Sequence, residues 1–501
     1  MTSIRRLAGQ TAIYGIPSIL GRFLNYLLVP LYTYGILTQQ QYGIVNVFYS
    51  YTALLMVILT YGMETAFFRF SEAESDKARV YSTGLISLLI TTTGFLFFIH
   101  LFPGTIASWI DYPQYQNFIL WFAWILALDV ISAIPFARLR ALNRPVLFAT
   151  IKSVNILTNI FFNLFFLLFC PFLLGHFGDA LPGKIIRLIY RPDWVIEYIF
   201  ISNLLASLLT LILLVPQILK LRWVLDLRLW KRMLIYSLPL MLAGMAGIIN
   251  ETFDRLLLRY LLPLSPENAE IQVGIYSACY KVAILMVLFI QAYRFAAEPF
   301  FFSQMKNQDA KVVYARVMDY FIIAVSVIFL VTMLFLDTVF IHFTGPKFRS
   351  ARNVIPILMM AKLFLGIYYN LSIWYKLTGK TLWGALLTII GAVITLGLNV
   401  FWIPRSSDHL IYGYLGSAWA TFICYTTMMV LCYLIGQKYY RIRYNLKKFF
   451  GYLGFVSILY FISRWVQIGS TTGSLIFNLL LLAIFVTTVF FIEKPRLSRV
   501  R

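Results

Sequence analysis

The sequence predicts an all-α polytopic membrane protein with about 14 transmembrane helices. Of its 501 residues, 60% are hydrophobic and only 12% are charged, a composition far from that of soluble globular proteins. Apolar stretches of membrane-spanning length recur along the whole chain, and the connections between them are short. Most of the basic residues fall in these connections, where they act as topology signals.

The apolar stretches are long enough to span a bilayer, since about 20 residues of helix cross the hydrocarbon core. They lie near residues 10–36, 43–68, 80–102, 116–136, 146–170, 196–217, 235–262, 272–298, 314–336, 352–376, 381–403, 411–436, 450–467 and 474–492. The longest connection, 171–197, has room for one short amphipathic helix at the membrane interface.

The distribution of charge predicts the topology. The net charge of +22 is also a property of nucleic-acid-binding proteins, but basic residues in short loops between spans do not form a nucleic-acid surface. When alternate loops and both termini are assigned to one side, that side has 27 basic residues and the other side has 7. This asymmetry predicts that both termini are cytoplasmic.

An internal repeat predicts two pseudo-symmetric halves of six helices each. The segment QYGIVNVFYS (41–50) aligns with QVGIYSACYK (272–281), and the spacing of the apolar segments repeats with it. We expect an N-terminal lobe at 1–220 (helices 1–6) and a second lobe at 221–440 (helices 7–12). The remainder, 441–501, would hold helices 13 and 14 and a basic tail.

The segment 237–262, at the start of the second half, combines spanning length with four charges. These are Glu251, Asp254, Arg255 and Arg259. Each charge at membrane depth costs about 2.5–3.5 kcal/mol on insertion scales, so such residues normally face a protein interior or a water-filled cavity. One interpretation is a self-neutralised pair of Glu251 with Arg255 that stabilises the bundle. The other is a cationic wall inside a transport cavity.

Further charged residues fall within other predicted spans. The deep basic residues are Arg22, Lys152, Arg255, Lys281, Arg294 and Lys362. The acidic residues within or near spans are Glu64, Asp129, Glu251, Asp254, Glu298 and Asp319. Because basic residues predominate in the deepest part, pairing alone does not account for all of them. An anionic ligand such as phosphate or pyrophosphate would complement guanidinium and ammonium groups.

No catalytic or metal-binding motif is recognisable, so we expect a protein that is not an enzyme and has no cofactor. The four cysteines have no metal-ligand spacing. In the absence of an ATP-binding motif, the energy for transport would come from an ion gradient, the membrane potential or the substrate gradient. Coupling to Na⁺ or H⁺ remains open, with Glu251, Asp254, Glu64 and Asp129 as the candidate ion-coupling or gating residues.

Three stretches resemble one known family. They are LAGQTAIYGIPSILGRFLNYLLVPLYT with the following QYGIVNVFYSYTALLMVILTYGMETAFFRF, then LRALNRPVLFATIKSVNILTNIFFNLFF, and KLTGKTLWGALLTIIGAVITLGLNVFWIP with the following YGYLGSAWATFICYTTMMVLCYLIGQKYY. In this order they resemble the bacterial oligosaccharide flippases of polysaccharide biosynthesis. These flippases are relatives of the lipid II flippase and of multidrug and toxin extrusion transporters.

The resemblance implies two six-helix lobes around a V-shaped central cavity, in the bacterial inner membrane. It implies flipping of undecaprenyl-pyrophosphate-linked oligosaccharide from the cytoplasmic to the periplasmic leaflet by alternating access, for surface polysaccharide such as O-antigen, capsule or exopolysaccharide. The partners would be this lipid-linked oligosaccharide, membrane lipids and the polysaccharide polymerase or ligase machinery. By position, Arg22 and Arg255 would bind pyrophosphate, followed by Lys281, Lys152, Lys362 and Arg294. The adjacent Asp254 and Glu251 favour a coupling or gating role for Arg255 instead.

Two other functions remain open at this stage. A cation-coupled multidrug exporter of the same fold would be richer in acidic than in basic site residues, because many of its substrates are cationic. A membrane glycan polymerase, ligase or acyltransferase would need a long external loop with clustered polar residues. The connection 171–197 offers only His176 and Asp179 for such chemistry.

Overall fold

The computed structural model describes residues 20–497 apart from 22, 179, 306, 406–408 and 467. Within these residues the regular structure is entirely helical, with no β-strand. The start of the first predicted span, 10–36, lies outside the described residues. Its described end contains the helix α1 (Leu28–Leu31) and a π-helical turn, Tyr32–Ile36.

The helices that follow have the bounds expected of membrane spans and short connecting helices. They are α2 (Gln39–Thr60), α3 (Met63–Ala73), α4 (Lys77–Leu101), α5 (Pro103–Trp109), α6 (Gln116–Ala141), α7 (Pro145–Leu164), α8 (Cys170–Phe177), α9 (Leu181–Ile189), α10 (Val195–Ile218), α11 (Leu227–Leu261), α12 (Pro266–Gln304), α13 (Ala310–Leu334), α14 (Val354–Leu371), α15 (Ile373–Leu377), α16 (Leu382–Trp402), α17 (Gly413–Tyr439), α18 (Leu446–Trp465) and α19 (Thr471–Leu497).

Thirteen helical stretches of the described residues are long and apolar enough to cross a membrane, from Gln39–Ala73 to Thr471–Lys494. Each corresponds to one of the predicted spans from the second to the fourteenth, which confirms the predicted all-α membrane fold class. The total of fourteen helices stays a prediction because the first span is described only in part. The helix α9 lies in the connection where a short helix was expected.

The chain divides into two compact units, Thr2–Leu256 and Leu257–Arg501. The division falls inside α11, near its C-terminal end. The predicted boundaries at 220 and 440, the six-helix lobes and the V-shaped cavity stay predictions. In the second unit, α18 and α19 pack on each other and both contact α13, so the C-terminal helix pair is attached to that unit.

In the first unit, α10 packs against α6 and α7, and α4 packs against α6. The core between α3, α4, α6 and the start of α11 contains Met63, Leu85, Ile134 and Met233, all with almost no exposed surface. One predicted span, 43–68, is broken into α2 and α3. Tyr61 and Gly62 both adopt left-handed backbone angles at the break, with φ of 34° and 70°. A reversal of φ at two successive residues ends α2 and starts α3 in a new direction.

The helix α11 begins at an aspartate that acts as its N-terminal cap. The Asp226 carboxylate accepts hydrogen bonds from the backbone N–H groups of Arg228 at 2.9 Å and Leu229 at 3.1 Å. The Arg79 guanidinium, at the start of α4, lies 2.6 Å from the same carboxylate. Because these groups bind the ionised form, they lower the pKa of Asp226, with the Leu229 N–H as the largest cause.

We therefore expect Asp226→Ala to lower the thermal stability of the purified protein at neutral pH. The pKa of Asp226 is lowered on folding, so its contribution is present above the unfolded-state pKa and is lost as the pH falls through the folded-state value. The difference in Tm between the parent protein and Asp226→Ala should thus shrink on acidification. Asp226→Asn, which keeps a capping oxygen but not the charge, should lie between the two. If the parent protein and Asp226→Ala differed in Tm by the same amount at neutral and at acidic pH, the role of the ionised Asp226 carboxylate would be contradicted.

Candidate functional site

The charged residues in the C-terminal third of α11 contact one another. Arg255 Nη1 lies 3.2 Å from Asp254 Oδ1 and also donates a hydrogen bond to the backbone carbonyl of Glu251 at 3.2 Å. Only 7% of the Arg255 side chain and 5% of the Asp254 side chain are exposed. A guanidinium beside a carboxylate presents little free positive charge to a ligand. This geometry favours the coupling or gating role over direct binding of a phosphate.

The next arginine of α11 is also engaged by a carboxylate. Arg259 Nε donates a hydrogen bond of 3.1 Å to Glu270 Oε1, in the first turns of α12, and 5% of each side chain is exposed. The guanidinium additionally lies 5.4 Å from the ring centroid of Tyr260. Both residues belong to the second unit. This buried pair makes Arg259 a structural connection between α11 and α12.

In the first unit, the predicted residues Asp129, Lys152 and Glu64 come together. The Lys152 ammonium lies 4.2 Å from the Phe136 ring centroid, and Asp129 and Glu64 are both its charged neighbours. Glu64 also forms a close ion pair with Arg140 at the C-terminal end of α6. The cluster therefore combines two carboxylates with two basic groups. Balanced charge of this kind suits the movement of a proton or a small cation better than the binding of an anion.

In the second unit, Lys362 is enclosed by helices rather than open to a large ligand. Its side chain lies on α14 and has no exposed surface. The ammonium lies 5.0 Å from the ring centroid of Tyr280 on α12 and 5.1 Å from that of Tyr425 on α17. Such aromatic faces stabilise a cation that is removed from water. The neighbouring predicted residue Lys281 follows Tyr280 on α12 and is half-buried.

Arg294 is partly exposed, unlike Arg255 and Lys362. Its guanidinium lies 4.0 Å from the ring centroid of Tyr369 and 3.3 Å from Glu298 Oε1, one turn further along α12. Lys376, on α15, donates to the same carboxylate oxygen at 2.7 Å. The exposed fractions are 36% for Arg294, 37% for Glu298 and 24% for Lys376.

These three side chains, Arg294, Glu298 and Lys376, form what we call the shared-carboxylate cluster. Two cations and one carboxylate leave a net charge of +1. A guanidinium has five N–H donors and an ammonium has three, which is more than the single Glu298 oxygen can accept. The cluster can therefore take up an anion with several oxygens, and phosphate groups match this donor set.

Sequence reasoning did not assign Lys376 or Glu270 to any site. By the predicted bounds, Lys376 is the last residue of the span 352–376, and Glu270 lies just before the span 272–298. Glu298 is four residues after Arg294, which is the signal that could have indicated their pairing on one helix face. Arg22, a leading candidate from the sequence, lies outside the described residues.

Nothing in the described part of the chain groups three or more His, Cys, Asp or Glu residues in a way that could hold a metal ion. In the long connection, the His176 ring lies against Phe172 of its own helix, with 4.2 Å between ring centroids. Its proposed catalytic companion, Asp179, is outside the described residues.

The fold is shared with known membrane transporters. The lipid II flippase MurJ in an inward closed conformation superposes with a TM-score of 0.69 and 14% identity, over 95% of this chain and 98% of that chain. An inward-facing multidrug resistance MATE family transporter of the MOP superfamily gives 0.58 and 14%, over 87% of this chain and 94% of that one. The Vibrio cholerae MATE transporter VcmN in the bent form gives 0.51 and 13%, over 90% and 100%.

The protein is a multi-pass membrane protein, and its fold is the one found in the flippase MurJ and in MATE transporters of the MOP superfamily. A sequence model described as "Polysaccharide biosynthesis protein" matches residues 7–305, which is more than half of the chain. The chain belongs to this polysaccharide biosynthesis protein family, and the resemblance predicted from the sequence is confirmed. Among curated proteins, none matches this sequence.

Proposed function

We propose that this protein flips undecaprenyl-pyrophosphate-linked oligosaccharide from the cytoplasmic to the periplasmic leaflet by alternating access, for surface polysaccharide biosynthesis. The chain belongs to a family of polysaccharide biosynthesis proteins, and its fold is that of the lipid II flippase MurJ. The protein would act in the bacterial inner membrane with both termini in the cytoplasm. It would serve as a transporter rather than an enzyme and supply the glycan to a polymerase or ligase.

The observation that carries the proposal is the shared-carboxylate cluster. Pyrophosphate offers several charged oxygens, and Arg294 and Lys376 present convergent donors beside a single carboxylate. The Tyr369 ring packs against the Arg294 guanidinium and restricts its orientation. Asn370, which follows Tyr369, donates a 2.6 Å hydrogen bond to the hydroxyl of Tyr293, which precedes Arg294. Aromatic and amide groups beside a phosphate site also suit the sugar of a glycan.

The position of the cluster along its helices agrees with substrate entry from the cytoplasmic leaflet. Lys376 lies at the end of the span Val354–Leu377, and Arg294 lies about 15 Å before the end of α12. Both helix ends face the side that the basic-residue asymmetry predicts to be cytoplasmic. The pyrophosphate of a polyprenyl lipid in that leaflet lies near the interface, and this supports a first contact between the headgroup and the cluster.

The other charged groups would then have different tasks. Asp254 and Arg255 form one charge-balanced group, and Asp129 and Glu64 with Lys152 and Arg140 form another. Both could respond to Na⁺ or H⁺. Lys281, Lys152 and Arg22 remain further candidates for headgroup contact during the transport cycle. Lys362, enclosed by two tyrosine rings, would require helix movement to reach the substrate.

The test measures lipid-linked oligosaccharide and surface glycan in cells that depend on this protein, at matched membrane levels. We expect Arg294→Gln with Lys376→Gln to reduce surface glycan at least about tenfold and to accumulate lipid-linked oligosaccharide, since each lost charge-assisted hydrogen bond weakens binding substantially. Arg294→Lys should retain partial activity. The control is Lys311→Gln, which removes a cation that lies 4.7 Å from the Tyr440 ring.

Normal surface glycan in the double variant would show that the shared-carboxylate cluster takes no part in transport. Loss of glycan without accumulation of lipid-linked intermediate would point to a biosynthetic step before flipping, and would contradict the flippase proposal.

A multidrug exporter is the second candidate, because the MATE transporters share the fold and the first unit contains the carboxylates Asp129 and Glu64. Export of cationic dyes from the same cells distinguishes the two. An exporter would lose dye efflux in Asp129→Asn and keep normal surface glycan.

A further inference from the structure

A groove of about 430 Å³ lies within the second unit, between α13, α14, α17 and α18. It begins where α13 and α18 end and where α14 starts. These three helix ends lie on the side that the basic-residue asymmetry predicts to be non-cytoplasmic. Lys376 lies 24 residues beyond Arg352 along α14 and α15, or about 36 Å of helix, so this groove is separate from the shared-carboxylate cluster.

The rim of the groove carries two arginines that share one aspartate. Arg464 Nη1, near the end of α18, lies 2.6 Å from Asp337 Oδ2. Arg352 Nη1, just before α14, lies 3.5 Å from Asp337 Oδ1. All three side chains are about half exposed. The rim therefore has a net charge of +1 and retains guanidinium donors that Asp337 cannot saturate.

Below the rim the lining is apolar and aromatic. The side chains that line it include Phe329, Ile357, Met360, Trp419, Phe422 and Phe461. Met360 is eight residues beyond Arg352 on α14, which places it about 12 Å deeper along the helix axis. Ser457 is similarly about 10 Å from Arg464 on α18. The groove thus runs from a charged rim at the membrane interface towards the hydrocarbon core.

We propose that this groove binds an anionic glycerophospholipid, with its phosphodiester on Arg352 and Arg464 and an acyl chain against Met360 and Phe422. A phosphodiester carries one negative charge, which complements the net charge of the rim. The mainly apolar and aromatic lining below the rim matches a hydrocarbon chain better than a soluble anion. This lipid would hold the C-terminal helix α18 against α13 and α14, and the proposal stands independently of the transported substrate.

The experiment measures retention of phosphatidylglycerol by the purified protein in native mass spectrometry and in detergent titrations. We expect Arg352→Gln and Arg464→Gln each to weaken retention about tenfold, because each removes a charge-assisted hydrogen bond to the phosphate. Lys347→Gln removes a cation from the same connection, outside the groove lining, and should retain the lipid as the parent does. Met360→Trp fills the interior while the rim is unchanged and should also reduce retention.

Two further probes establish the nature of the ligand. Phosphatidylcholine with the same acyl chains should be retained weakly, and glycerol 3-phosphate should not displace phosphatidylglycerol. Equal retention of phosphatidylcholine would overturn the charge assignment, and displacement by glycerol 3-phosphate would show a site for free anions. If Lys347→Gln lost as much phosphatidylglycerol as Arg352→Gln and Arg464→Gln, the proposed site would be overturned, because the loss would then reflect general surface charge. Monodisperse elution of each variant confirms that the protein is folded.

Discussion

Replacing Arg259 with methionine is expected to lower the free energy of unfolding by about 3–5 kcal/mol, because it removes the cation from the buried carboxylate of Glu270. Only 5% of each side chain is exposed, and the hydrogen bond between them is 3.1 Å long. Glu270→Met should have a similar effect, since it removes the carboxylate from a buried guanidinium. Denaturant titration of each purified variant in detergent measures its free energy of unfolding.

The double variant Arg259→Met with Glu270→Met is the informative comparison. Because the charges and their desolvation costs disappear together, we expect most of the stability to return. An exposed pair serves as the control: Lys77 and Glu72 lie 3.8 Å apart with 66% and 82% of their side chains exposed. Lys77→Met should change stability by no more than about 1 kcal/mol. Additive losses in the double variant would contradict a direct coupling of Arg259 with Glu270.

The spans were predictable because the bilayer imposes one simple requirement on all of them. A helix must be long and apolar enough to cross, and sequence length and composition report this directly. Thirteen described stretches satisfy it at the predicted places. The break at Tyr61 and Gly62 was not predictable, because the residues on both sides remain apolar and glycine is common inside membrane helices.

The sequence shows which charged residues fall within spans, but it does not show most of their contacts. The residue type shows that a charge is costly at that depth, whereas its partner depends on the helix face and on packing. Sequence spacing indicated Glu251 for Arg255, and in the structure the guanidinium contacts both the Glu251 backbone carbonyl and the adjacent Asp254 carboxylate. Lys376 joins Arg294 through Glu298 only because α15 packs beside α12, a contact 78 residues apart in sequence. Tertiary contacts of this range leave no local signal in one sequence.

Gly62→Ala is expected to destabilise the protein by about 2–4 kcal/mol, through two independent effects. Gly62 has a φ of 70°, where a side chain strains the backbone, and a Cβ there would lie 2.8 Å from the backbone oxygen of Ser237 on α11. Neither the carbonyl nor the turn can move without displacing a helix. The matched control is Gly94→Ala on α4, where nothing lies within 4 Å of the added Cβ.

Gly94→Ala should leave stability unchanged or raise it by about 0.5–1 kcal/mol, because alanine is the better helix former. Denaturant unfolding of both variants in the same detergent separates the effect of the turn from that of losing a glycine. If Gly62→Ala were as stable as Gly94→Ala, the close approach of the α2–α3 turn to α11 would not exist in the folded protein. A clear difference instead identifies this turn as a fixed contact of the first unit, since of these two variants only Gly62→Ala brings the added methyl group against backbone.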